Sequence, residues 1–139
     1  MKRFTSLFLL VIMVVSTLFF QSCGNTEIPD DCTSLDLSSF TEDYKSNSLR
    51  LEEKYVDEWC KIVCTINAIE SDKHFTMLNS QDRVYIDCRV KDKELKDVLL
   101  ELNKGDKVKV YGVVTKITPS ASSFWDVTIH INVYKIEIL

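Results

Sequence analysis

The sequence predicts a mostly β domain with helices, a five-stranded barrel in the order β-β-β-α-β-β preceded by an amphipathic helix. Three observations predict it. The apolar period switches from 3.6 to 2 at Cys60; one short helical stripe, Leu95, Val98, Leu99 and Leu102, follows the third alternating segment; and the last segment changes its apolar parity partway along.

The first helix is expected to open at Ser39, whose hydroxyl and Glu42 three residues on form the pattern of a capping box. Behind it Phe40, Tyr44, Ser48, Leu51 and Tyr55 recur at helical spacing, with acidic and basic residues around the rest of the wheel, and the helix is expected to end near Asp57. Strand one carries Cys60, Ile62, Cys64, Ile66 and Ala68 on one face. Glu70 to Lys73 form a polar turn, His74 to Leu78 a short second strand and Asn79 to Asp82 another turn. In strand three Val84, Ile86, Cys88 and Val90 alternate with Arg83, Tyr85, Asp87 and Arg89, so the two sets point to opposite faces.

Asp92 is placed to cap the second helix, and Gly105 to stop it. Strand four is expected from Lys107 to about Lys116, followed by a loop around Pro119. In strand five Val127, Ile129, Ile131 and Val133 share one parity, and Ile136 and Ile138 the other. Such a switch predicts a bulge near Tyr134, of the kind that bends a strand around a barrel.

The N-terminus reads as an export signal. Lys2 and Arg3 precede a run from Phe4 to Phe20 without a charge, which is a basic n-region followed by an apolar h-region. Gln21, Ser22, Cys23 and Gly24 then resemble a lipobox, which implies cleavage after residue 22 and a diacylglyceryl thioether on Cys23. An uncleaved membrane helix is the alternative, since about 20 apolar residues span a bilayer, but it gives no reason for Cys at this position. Each buried methylene contributes about 0.8 kcal/mol, and two or three acyl chains make a stable anchor. The expected division is a signal over 1–22, a lipidated tether over 23–38 and a domain over 39–139. Gly24, where Asp would signal inner-membrane retention, favours the outer membrane of the cell envelope.

Three strands, a helix and two strands is the order of the OB-fold, a partly open Greek-key barrel. The segment from about Thr41 to Leu139 also resembles the tRNA anticodon-binding-like (tRNA_anti-like) OB-fold family, through Glu53, Lys54 and Tyr55 before strand one and through the run Leu102 to Gly112 around the entry to strand four. Cys64 and Thr65 stand where such domains often carry Gly. The family name comes from nucleic-acid-binding relatives, and the matching motifs specify a fold without a chemistry.

Composition narrows the function. Without residues 1–22 the chain has 15 basic and 21 acidic residues, a net charge of −6, which disfavours nucleic acid because contacts between cations and phosphates supply most non-specific affinity. Cys32, Cys60, Cys64 and Cys88 remain besides Cys23. Cys60 and Cys64 lie roughly 13 Å apart along a straight strand, about twice the reach of a disulfide. Buried small hydrophobes are the better reading of these thiols, with a disulfide at Cys32 or Cys88 as the alternative. His74 and His130 read as isolated residues.

No catalytic arrangement stands out, and neither a metal site nor a cofactor is expected. The candidate ligand face comprises Phe75, Arg83, Tyr85, Asp87 and Arg89, flanked by the loops at Ser71 to Lys73 and Thr118 to Phe124. OB-folds bind oligonucleotides and oligosaccharides on this face. A protein or an envelope polymer is the expected ligand; a single-stranded nucleic-acid binder and a structural envelope protein without a ligand are the alternatives.

Overall fold

A computed structural model describes residues 26–139; the signal segment, Cys23 and Gly24 lie outside the described residues. The chain runs β1 (Thr33–Ser34), α1 (Phe40–Tyr55), β2 (Trp59–Ser71), β3 (His74–Asn79), β4 (Val84–Val90), α2 (Leu95–Glu101), β5 (Lys107–Pro119) and β6 (Val127–Ile138). The strands follow the order β1-β2-β3-β4-β6-β5, and a β2–β5 pairing closes the sheet. The five strands expected from the sequence are therefore β2 to β6, an OB barrel, with β4 parallel to β6 and the other barrel pairs antiparallel.

Strand alternation built the core as the apolar pattern requires. Cys60, Ile62, Cys64 and Ile66 face inward from β2, Phe75 and Met77 from β3, Val84, Ile86 and Cys88 from β4, and Val127, Ile129, Ile131 and Val133 from β6. All three barrel cysteines are buried, and Cys32 with them, as free thiols. Burial pushes the Cys60 thiol up to about 11, helped by Cys32 and Glu58 nearby. It pushes Cys64 to about 11 as well, against a backbone hydrogen bond that lowers it. The expected bulge is present: Tyr111 pairs with Lys135 and Gly112 with Val133, which leaves Tyr134 as the extra residue, its ring 5.0 Å from that of Trp59.

Five local expectations are corrected. Ser39 has a left-handed backbone (φ 61) and makes no side-chain cap, so the Ser39–Glu42 box does not form. The N-terminus of α1 is tied instead to the β3–β4 turn, where the Asp82 carboxylate accepts the Ser39 N–H (3.3 Å) and the Asp82 carbonyl accepts the Thr41 hydroxyl. The helix also ends at Tyr55, short of Asp57, and is broken at Asn47, whose side-chain oxygen accepts the Arg50 N–H at 3.1 Å and restarts it.

The second helix begins at Leu95, because Asp92 spends its carboxylate on the Glu94 N–H in a turn before the first helical residue. The strand after it continues to Pro119. Finally, the segment expected as a free tether packs on the domain from Cys32 onward: β1 adds to β2 in parallel, and Leu35 and Leu37 are buried.

Leu95, Leu99 and Leu102 of the α2 region plug the barrel. Leu99→Ala is expected to cost about 2 to 5 kcal/mol as a cavity mutant. Glu101→Ala, on the exposed side, should stay within about 0.5 kcal/mol of wild type. Equal losses in urea titrations of the two variants would contradict this packing.

Candidate functional site

The outward residues of β3, β4 and β6 form one continuous surface, because β4 lies between the other two. Its rows follow from register: Leu78, Tyr85 and Thr128; Thr76, Asp87 and His130; His74, Arg89 and Asn132. Of the residues expected on this face, Tyr85, Asp87 and Arg89 are there. Phe75 is not: it pairs with Cys88, has the opposite parity and is 0% exposed in the core. Arg83 sits before β4 with a left-handed backbone (φ 54). Its guanidinium bridges to the Asp126 carboxylate at 3.1 Å and donates to the Ser123 carbonyl at 3.0 Å, which fastens the β5–β6 loop to the barrel.

Asp87 is the centre of the face. One carboxylate oxygen lies 2.5 Å from His74 Nε2, the other 3.1 Å from His130 Nδ1, and Arg89 stands at 3.6 Å. His74 Nδ1 meets Glu70 at 2.7 Å, and His130 Nε2 meets the Thr118 hydroxyl at 3.3 Å. The histidines read as isolated in the sequence are thus two arms of one network spanning β2 to β6. Three bulges assemble it. Glu70 is the extra residue where β2 shifts against β3, as Asn67 is three residues earlier in a shift that seats Thr76, and Thr115 is the extra residue that sets Thr118 beside His130.

Asn67 donates to the hydroxyl of Thr76, which is buried beneath the network. Each bulge is a matter of strand pairing, so the only sequence signal was the presence of two histidines on strands of suitable parity.

Burial raises the Asp87 carboxyl, but hydrogen bonds from His74 and His130 and the charges of His74 and Arg89 outweigh it and hold the group below its ordinary value. A carboxyl depressed in the folded state stabilises the fold above its unfolded value of about 3.9, and this contribution disappears as pH falls through the lower folded value. Asp87→Asn should therefore lower stability by about 1 to 2 kcal/mol at neutral pH. The gap to wild type should close below about pH 4. Urea titrations from pH 2.5 to 7 check this; a gap independent of pH would remove Asp87 from the role.

Beyond the network, the side of the face next to the β5–β6 loop carries aromatic groups. Tyr85 and Trp125 meet with ring centroids 6.4 Å apart at 45°. They line an open pocket of about 350 Å³ with Ser120, Ala121, Ser122 and Thr128. Phe124 beside them is 78% exposed. Trp125 lay outside the expected ligand set, since nothing in its sequence neighbourhood shows that the loop folds over Tyr85. A second pocket, of about 460 Å³, lies at the β2–β3 loop and the segment before α2, lined by Lys73, Lys91, Lys93 and Lys96 together with Asp72 and Asp92.

Comparison with known proteins agrees with the barrel. A chain from Leishmania major Friedlin described as an aspartyl-tRNA synthetase superposes with a TM-score of 0.51 at 18% identity, over 84% of this chain and 22% of that one. The present chain thus spans about a fifth of the synthetase, and the likeness shows the fold alone. A Klebsiella pneumoniae protein described as a nucleic acid-binding lipoprotein has a TM-score of 0.48 at 12% identity, covering 81% of this chain and 99% of that one. The Escherichia coli hypothetical protein ygiW has 0.44 at 19%, covering 84% and 100%. No curated protein matches in sequence. The tRNA_anti-like family matches residues 1–122, and with most of the sequence matched and an OB barrel closed by β2 and β5, this chain belongs to that family.

Proposed function

We propose that the chain is a binding module held on the cell envelope by a lipid on Cys23, without catalytic activity or a cofactor, and that it presents the β3-β4-β6 face to a protein or an envelope polymer. The observation that carries this reading is the internal neutralisation of the two arginines expected on the face, Arg83 and Arg89. Arg83 is bridged to Asp126, which also takes Lys45 at 3.2 Å, and Arg89 leans on Asp87. What the face offers a ligand is therefore aromatic surface and hydroxyls.

A large anionic ligand would release few counterions there, and the net charge of −6 without residues 1–22 acts in the same direction. Among the described residues no helix is long and apolar enough to cross a membrane. That is compatible with attachment through lipid, and Gly24 after Cys23 favours the outer membrane.

Two measurements test the reading. Metabolic palmitate labelling should disappear in Cys23→Ala and leave an unprocessed precursor; labelling that survives would refute the anchor. Fluorescence anisotropy with labelled single-stranded DNA and RNA should show binding no tighter than micromolar at physiological salt. The second reading, a single-stranded nucleic-acid binder, draws on Tyr85 and Trp125, since stacking contributes about 1 to 3 kcal/mol per base even on a neutral surface. A nanomolar complex that weakens steeply with salt and is lost in Tyr85→Ala would establish it in place of the first.

A further inference from the structure

We propose that the corner formed by Tyr85 and Trp125 is a subsite for one uncharged sugar ring of an envelope glycan. The assignment rests on the binding-face reading above and selects a ligand class for it. None of the six residues lining the corner is charged: two are aromatic, three carry hydroxyls and one is Ala121. Its volume of about 350 Å³ lies in the range of about 300 to 1,000 Å³ that small ligands use. A sugar ring has C–H groups on its faces and hydroxyls around its edge, so it needs an aromatic plane and, beside it, groups that donate and accept hydrogen bonds. The two rings meet at 45°, which makes one concave corner with ring surface left open, where parallel stacking would have closed them on each other.

The hydroxyls are held in place before any ligand arrives. Ser120 Oγ accepts the Ser122 N–H at 3.3 Å and Ser122 Oγ accepts the Phe124 N–H at 3.2 Å, so each serine keeps its own O–H to donate. The loop is pinned at its base, where the Ser120 N–H donates to the Asp126 carbonyl and the Asp126 N–H to the Arg83 carbonyl. The Arg83–Asp126 bridge locks the same place through side chains. A loop ordered in advance loses little conformational freedom on binding. The corner is also poorly suited to a nucleotide: a base could stack on Trp125, but its phosphate would find Arg83 already occupied.

The test is calorimetric titration of the full-length lipidated protein in detergent micelles. The probes are a panel of neutral tetrasaccharides built from glucose, galactose, mannose or N-acetylglucosamine, and the oligonucleotide (dT)12. At least one tetrasaccharide is expected to bind at millimolar concentration or below. Trp125→Ala should weaken it at least tenfold, Trp125→Phe should restore most of it, and thermal unfolding should be unchanged in both. Absence of binding across the panel overturns the proposal, and so does saccharide binding indifferent to Trp125→Ala. Binding of (dT)12 that is lost in Trp125→Ala assigns the corner to nucleic acid instead.

Photocrosslinking in cells from the position of Arg89 separates this failure from failure of the underlying reading. If no sugar binds but Arg89 still captures an envelope component, only the sugar assignment falls; if it captures nothing, the binding face falls with it.

Discussion

Phe75→Ala is expected to lower folding stability by about 3 to 5 kcal/mol, a large part of the about 5 to 15 kcal/mol typical of a domain this size. The side chain is 0% exposed and lies between β2 and β4, opposite Cys88 and beside Ile69 in register, with the core on every side. Truncation removes its transfer free energy and leaves a cavity that the closed barrel cannot collapse to fill. Tyr85→Ala is the contrast: the residue is half-buried on the outer face and should cost much less. Guanidinium titrations of the two variants check the assignment. Near-native stability of Phe75→Ala together with lost ligand binding would return Phe75 to the binding face.

Gly112→Ala should be at least as damaging, by about 3 kcal/mol or more. A Cβ at this position would lie 2.2 Å from the Asn132 backbone oxygen and 2.9 Å from Ile131 Cγ1. Backbone would have to move, at the place where β5 crosses the Tyr134 bulge of β6. Gly105→Ala meets no atom within 4 Å and is strained only through its φ of +97°. A loss of about 1 to 2 kcal/mol is expected there. Thermal unfolding of both variants discriminates close packing at Gly112 from backbone conformation at Gly105; a larger loss at Gly105 would contradict the close approach of β5 and β6.

The ligand face was legible where a strand alternates cleanly and illegible where it does not. In β4 the apolar set is unambiguous, so Tyr85, Asp87 and Arg89 could be placed outward from residue types alone. In β3 the run His74 to Leu78 has apolar residues in both phases, so alternation alone does not place Phe75; pairing with Cys88 does, and turns it inward. Ser39 illustrates a different cause. Its capping pattern is local, but Asp82 from a distant turn takes the Ser39 N–H and the Thr41 hydroxyl, and the backbone at Ser39 turns left-handed beside them.

By itself the sequence determined the barrel, its helix plug and the parity break at Tyr134, because each depends on the periodicity of apolar side chains within one segment, and burial of apolar surface dominates folding. Only the tertiary structure decided the Asp87 network and the Tyr85–Trp125 corner. Glu70, His74, Asp87, Thr118 and His130 come from five strands, and their meeting depends on bulges at Glu70 and Thr115 that shift register by one residue. A one-residue shift moves every following side chain to the other face. Its location is fixed by the pairing partner, and a single segment carries no record of that partner.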